Sequence, residues 1–118
     1  MLNRDNIFKH AKAKFSTSPV YLWEKFPHYA VLKHESGGKW YGIIMNVHPE
    51  KLGLDGDEEL DILDLKCPPE KSEELRDGEK ILPGYHMHKE HWISIVLKRI
   101  DSLDEIEALI EKSFELTK

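Results

Sequence analysis

Two apolar periods run along this chain, and they place most of its elements. Between Asn3 and Phe15, the residues Ile7, Phe8, Ala11 and Phe15 recur at helical spacing, while Arg4, Lys9, Lys12 and Lys14 occupy the rest of the wheel. Asn3 stands where a helix N-cap is wanted. The spacing predicts a helix from Asn3 to Phe15. A second helix is predicted over Ser102–Thr117, with Leu103, Ile106, Leu109, Ile110 and Phe114 as its stripe. Ser102-Leu103-Asp104-Glu105 has the form of a capping box, and acids crowd its first turn.

The other period is two. Trp92–Leu97 is rich in β-branched and aromatic residues and reads as a strand. Ile93, Ile95 and Leu97 fall on one face; Trp92, Ser94 and Val96 fall on the other. A strand apolar on both faces belongs inside a sheet or is covered on both sides. Ala30–His34 and Lys39–Val47 flank Glu35-Ser36-Gly37-Gly38, a hairpin signal. On the second of these strands Tyr41, Ile43, Met45 and Val47 alternate with Trp40, Gly42, Ile44 and Asn46, and Gly42 is expected to leave room for Trp40 or Trp23. Leu60–Lys66 is the next strand, with Leu63 and Leu65 facing one way and Ile62, Asp64 and Lys66 the other. Tyr21–Phe26, closed by Pro27, is assigned as a further strand. Leu82-Pro83-Gly84 is assigned as a turn, and Tyr85–His91 as a polar lead-in to Trp92. Pro68 and Pro69 open a short helix running to Asp77, with Gly78 just past its end.

Short links between these elements favour antiparallel pairing. The expected fold is therefore α+β: a two-layer sandwich, one antiparallel sheet of about five strands with the N- and C-terminal helices on one face. Residues 1–118 are expected to form one domain. The sheet face away from the helices, carrying Trp40, Trp92 and Trp23, becomes the expected contact surface.

Charge narrows the partners. The 118 residues carry a formal net charge of −5, unevenly spread. Residues 1–49 hold seven basic and three acidic groups, residues 50–79 four basic and twelve acidic. An acidic chain lacks the broad positive field of a non-specific DNA binder, although a local basic face remains open on its first third. No apolar run approaches the ~20 residues that span a bilayer, so no membrane partner is expected. The first fifteen residues lack the unbroken apolar core of a signal peptide, and Cys67 stands alone, which together suggest a cytoplasmic setting.

His86-x-His88-x-x-His91 is the obvious metal suspect. In an extended segment His86 and His88 share a side, His91 must fold back, and Glu90 points oppositely; no metal site and no cofactor is therefore expected. The Asp55–Asp57 loop lacks the ligand spacing of an EF-hand. Cys67 has no adjacent base, and no nucleophile elbow or phosphate-cradling glycine loop occurs, so catalysis is not expected. Lysines 25, 33, 39, 66 and 89 mixed with tryptophans suit stacking plus phosphate contact.

Several blocks resemble the MmcQ/YjbR family: Tyr21-Leu22-Trp23-Glu24-Lys25-Phe26-Pro27, Lys39-Trp40-Tyr41, Leu65-Lys66 with Pro69-Glu70, and above all Leu82-Pro83, Tyr85-His86-Met87, Lys89 and His91-Trp92. The resemblance spans roughly positions 5–117. This chain has His88 where that family usually has Asn, and Gly84 where it commonly has Ala. The resemblance implies a CyaY-like, or double-wing, α+β fold and a DNA-binding label that rests on fold analogy. It also implies a shared surface of Lys66, Tyr85, His86, Lys89, His91 and Trp92. The expectation is a small non-enzymatic binding module that contacts DNA through one sheet face, or else a protein or small ligand through the same aromatic face.

Overall fold

The computed structural model describes residues 1–118. Its elements are α1 (Arg4–Phe15), β1 (Ala30–Lys33), β2 (Trp40–Val47), β3 (Leu60–Lys66), α2 (Pro69–Leu75), β4 (Ile81–Pro83), β5 (Trp92–Val96) and α3 (Glu107–Leu116), with short 3-10 turns at Pro49–Leu52, Leu97–Arg99 and Leu103–Glu105. The five strands form one antiparallel sheet in the order β1-β2-β3-β5-β4. The α+β sandwich is as expected. No helix is long and apolar enough to cross a membrane.

One face of the sheet is sealed by helices. Ile44, Leu63, Leu65, Ile93 and Ile95 pack there against Ile7 and Ala11 of α1 and against Ile106 and Ile110 at α3. The Asn3 side chain accepts from the Asn6 backbone N–H, and Asn6 reciprocates, so α1 begins with a full capping box. The other face carries Val31, Ile43, Met45, Val47, Ile62, Leu82, Trp92 and Val96. No helix covers it. Side chains from three loops do so instead: Trp23 and Tyr29, Leu52 and Leu54, Tyr85 and Met87.

Four expectations need correction. Tyr21–Phe26 is not a strand; only Val20 bridges to Val31, and the segment bends so that Trp23 meets the rings of Tyr29 and Trp40. The fifth strand is instead Ile81–Pro83, an edge strand that the Pro-Gly signal disguised as a turn. An edge tolerates proline, which has no N–H to donate. Third, the pairing of β1 with β2 slips between Leu32 and Lys33. This bulge at Tyr41 breaks the alternation: Tyr41 joins the helix face, while Trp40 joins Ile43 and Met45 on the other. Ser113 of α3 bridges the gap, accepting from Lys66 N at 2.9 Å and donating to Tyr41 O at 2.5 Å. Gly42 then makes room for Leu32 and Leu63, not for a tryptophan. Fourth, the last helix begins at Glu107, because Glu105 turns back to accept from Asp101 N and Ser102 makes no side-chain cap.

Candidate binding face

The chain from Gly84 to His91 is a clamp laid over the loop-covered face. It starts where β4 ends. Gly84 N donates to Trp92 O at 3.0 Å, and a Cβ on Gly84 would stand 2.7 Å from Trp92 Cβ and 2.9 Å from its carbonyl oxygen. Only glycine fits that approach without moving backbone. Tyr85 N donates to Ser94 Oγ at 2.8 Å, and Ser94 Oγ donates in turn to Asp64. The Lys89 ammonium folds back onto Gly84 O at 3.0 Å, and the Arg76 guanidinium donates to Lys89 O. A turn from His91 N to His88 O at 3.1 Å and a bond from Cys67 N to His91 O at 2.8 Å close the far end. The segment is thus tied at both ends and in the middle.

Asp64 lies beneath this clamp, fully buried and directly opposite Ser94 across the β3–β5 pair. One oxygen takes the Ser94 hydroxyl; the other has no partner. Burial pushes its pKa up to about 8, against the opposing pulls of the Ser94 bond and the Lys89 cation. Burial favours the protonated, uncharged form, and the side chain is closed off from solvent, so it fixes Ser94 and, through it, the start of the clamp.

The six expected surface residues divide. Lys66, half-buried, pairs in register with Trp92. Trp92 is only 9% exposed and packs into the core of the loop-covered face. Tyr85, half-buried, lies 4.0 Å from the His86 ring. His86 is exposed and holds a left-handed φ of 60°. Lys89 spends its charge on the Gly84 carbonyl. The three histidines do not converge: His88 and His91 face each other at 4.9 Å between rings, and Glu90, not His86, joins them. The segment is a turn, so the alternation assumed for an extended chain fails there.

Beside the clamp is a feature that residue spacing did not disclose. Trp23, Phe26, Tyr29, Trp40, Ile43, Met45, His86 and Met87 line a cleft of about 240 Å³. Trp23 stands edge-on to both Tyr29 and Trp40, at 5.9 and 5.7 Å, and Phe26 stacks on Tyr29 at 4.6 Å. Tyr21, Leu22 and Phe26, next to it in the chain, are about half exposed. Phe26 and Tyr29 also wall a second cleft of about 220 Å³, which is polar and holds Lys25, His48, Lys51, Asn46 and Glu59. The sequence signal for it is four aromatic residues within Tyr21–Tyr29 without strand alternation. For Asp64 it is an acid flanked by Leu63 and Leu65 in the middle of an otherwise apolar run.

The family model described as YjbR matches residues 12–116. The chain belongs to the YjbR family. It is similar over its whole length, at 69% identity, to "Uncharacterized protein YyaQ" of Bacillus subtilis (strain 168), all of which is covered. A crystal structure of a Pseudomonas syringae protein is 44% identical, with a TM-score of 0.94 over 99% of this chain and 100% of that one. The Deinococcus radiodurans protein DR2400, at 22% identity and a TM-score of 0.73 over 98% of this chain and 78% of that one, shares the fold. In this YjbR protein, the Leu82–Trp92 block that carried the resemblance forms the clamp, and His86 and Met87 within it form one wall of the aromatic cleft.

Proposed function

We propose that this YjbR protein is a small non-enzymatic binding module that takes a flat apolar or aromatic group, from a small ligand or a protein side chain, into the cleft between Trp23, Phe26, Tyr29 and Trp40. The observation that carries this reading is the cleft itself: seven of its eight lining residues are apolar, and four of them are aromatic. Concave, mostly apolar sites with one or two polar groups are where ligands bind; here His86 is that polar group. The test is a titration of the protein with the apolar dye 1-anilinonaphthalene-8-sulfonate. Saturable one-to-one binding, weakened by roughly tenfold or more in Trp23→Ala with circular dichroism unchanged, is expected from loss of a stacking wall. Equal binding by Trp23→Ala sinks the reading.

A second reading keeps DNA as the partner. It is favoured by Lys25 and Lys51, which stand in the polar cleft that shares Phe26 and Tyr29 with the aromatic one. A base stacked on one side and a phosphate held on the other would suit a single strand. Anisotropy with a labelled thymidine oligonucleotide separates the two: binding that falls steeply with salt and drops in a Lys25→Ala, Lys51→Ala double variant supports DNA. Lys66 and Lys89, expected from the resemblance as contacts, do not carry this reading, because Lys89 already serves Gly84 O and Lys66 does not line the polar cleft.

A further inference from the structure

We propose that the turn His88–His91 is a binding site for a divalent transition metal, with His88, Glu90 and His91 as its protein ligands and His86 outside it. One ligand atom from each of the three residues lies within 4.8 Å of the other two. Zinc bonds of 2.0–2.2 Å to nitrogen and oxygen, arranged tetrahedrally, require donors about 3.3 Å apart. Side-chain rotation covers that difference, because His88 and Glu90 are exposed and His91 is half-buried.

The backbone is set before any ion arrives. His91 N to His88 O closes the turn, Cys67 N holds His91 O, and the Arg76 guanidinium holds Lys89 O. The two rings already face each other at 4.9 Å and 41°. Two neighbouring cations work against the site, but both are committed elsewhere: the Lys89 ammonium to Gly84 O and the Arg76 guanidinium to Lys89 O. The Glu90 carboxylate supplies the one negative charge in the set.

Donor chemistry selects the ion. Two imidazoles and a carboxylate suit Zn²⁺, Ni²⁺, Co²⁺ or Cu²⁺, whereas Mg²⁺ and Ca²⁺ want oxygen alone. Three protein ligands leave at least one position for water or a ligand atom. Met87 and His86, on the same clamp, wall the aromatic cleft, so a metal at the turn stiffens that wall. The inference does not depend on anything binding in the cleft.

Isothermal titration of untagged, chelator-stripped full-length protein with zinc chloride tests it, with magnesium chloride as the contrast. One zinc per chain is expected, and heat from magnesium is not. His88→Ala and His91→Ala should each weaken zinc binding by roughly tenfold or more, while His86→Ala and Cys67→Ser leave it within twofold. All of these substitutions except Cys67→Ser lie outside the buried core, and circular dichroism checks that each variant is folded. A rise in zinc-dependent melting temperature in the wild type, absent from the His88→Ala, His91→Ala double variant, is the second readout. The proposal is overturned if zinc binding survives in that double variant. It is overturned equally if His86→Ala costs as much as His88→Ala.

Discussion

The two faces of this sheet solve the same burial problem with different materials. On one, isoleucine and leucine from β2, β3 and β5 meet two long helices, and the contact is closed. On the other, the strand residues are just as apolar, but the cover is made of loops bearing Trp23, Tyr29, Leu52, Leu54, Tyr85 and Met87. Helices present a continuous apolar stripe to the strands; loops meet the sheet at separate points, and the mostly apolar cleft lies between them. The two covers suit different tasks. The helix face is organised for stability, and the loop face places aromatic rings at solvent, ties its clamp with single hydrogen bonds, and buries one carboxyl beneath it.

The largest test of that contrast pairs one truncation from each face. Ile95, fully buried against the helices, should cost about 3 kcal/mol on substitution by Ala, from lost transfer energy plus the cavity left behind. Trp40, half-buried beside the cleft, removes more atoms but leaves a surface already open, so Trp40→Ala should cost about 1–2 kcal/mol and abolish saturable dye binding. Urea melts with dye titrations on both variants read the comparison. Should Trp40→Ala destabilise as much as Ile95→Ala, the loop face is a core like the other and the division of labour fails.

How much of this was legible follows the same division. The helix face rests on two period-3.6 stripes meeting period-2 strands, so Ile7, Ala11, Ile106 and Ile110 were recognisable from spacing alone. The loop face was not. Its cover depends on where Tyr21–Tyr29 bends, and no periodic signal encodes a bend. The Tyr41 bulge exchanges Trp40 and Tyr41 between faces, and Ser113, which donates to Tyr41 O there, lies more than seventy residues away. The His86-x-His88-x-x-His91 pattern is visible in the sequence but its geometry is not, because an extended segment and a turn put different donors together. The edge strand Ile81–Pro83 was hidden by its own proline.

A smaller effect sharpens the contrast through pH. The native Asp64 carboxyl holds its proton up to about 8, whereas in the unfolded chain it releases it near its ordinary value of 3.8. Between those limits the native state binds more protons than the unfolded state, so this group's stabilisation is full below pH 3.8 and lost as pH climbs towards 8. Asp64→Asn can still accept from Ser94 but cannot ionise. The stability difference between variant and wild type should therefore shift in the variant's favour by about 2 kcal/mol from pH 5 to pH 6.5, read from urea melts at each pH. Taking the difference cancels the histidines and other groups common to both. A difference that stays flat across this range means Asp64 ionises freely and the loop face is wetter than its burial shows.

The smallest expected effect lies where the two faces are joined. Arg4, in the first turn of α1, reaches β3 with a fork: Nε and Nη2 each donate at 2.9 Å to the two oxygens of Asp61. Its Nη1 donates at 2.7 Å to His28 O, one residue before Tyr29 of the aromatic cleft. One guanidinium thus ties a covering helix to the loop that builds the opposite face. Arg4→Lys keeps the charge but loses the fork, since an ammonium cannot hold both Asp61 oxygens and the His28 carbonyl in one plane. The pair is partly exposed and screened, so the global cost should be about 1 kcal/mol. The sharper readout is local. Amide exchange in residues 26–30 should quicken while that of Ile93 and Ile95 is unchanged, because the loop loses its tether and the helix-covered strands do not. Uniform quickening across both sets would mean that Arg4 supports the whole fold and that the two faces do not open separately.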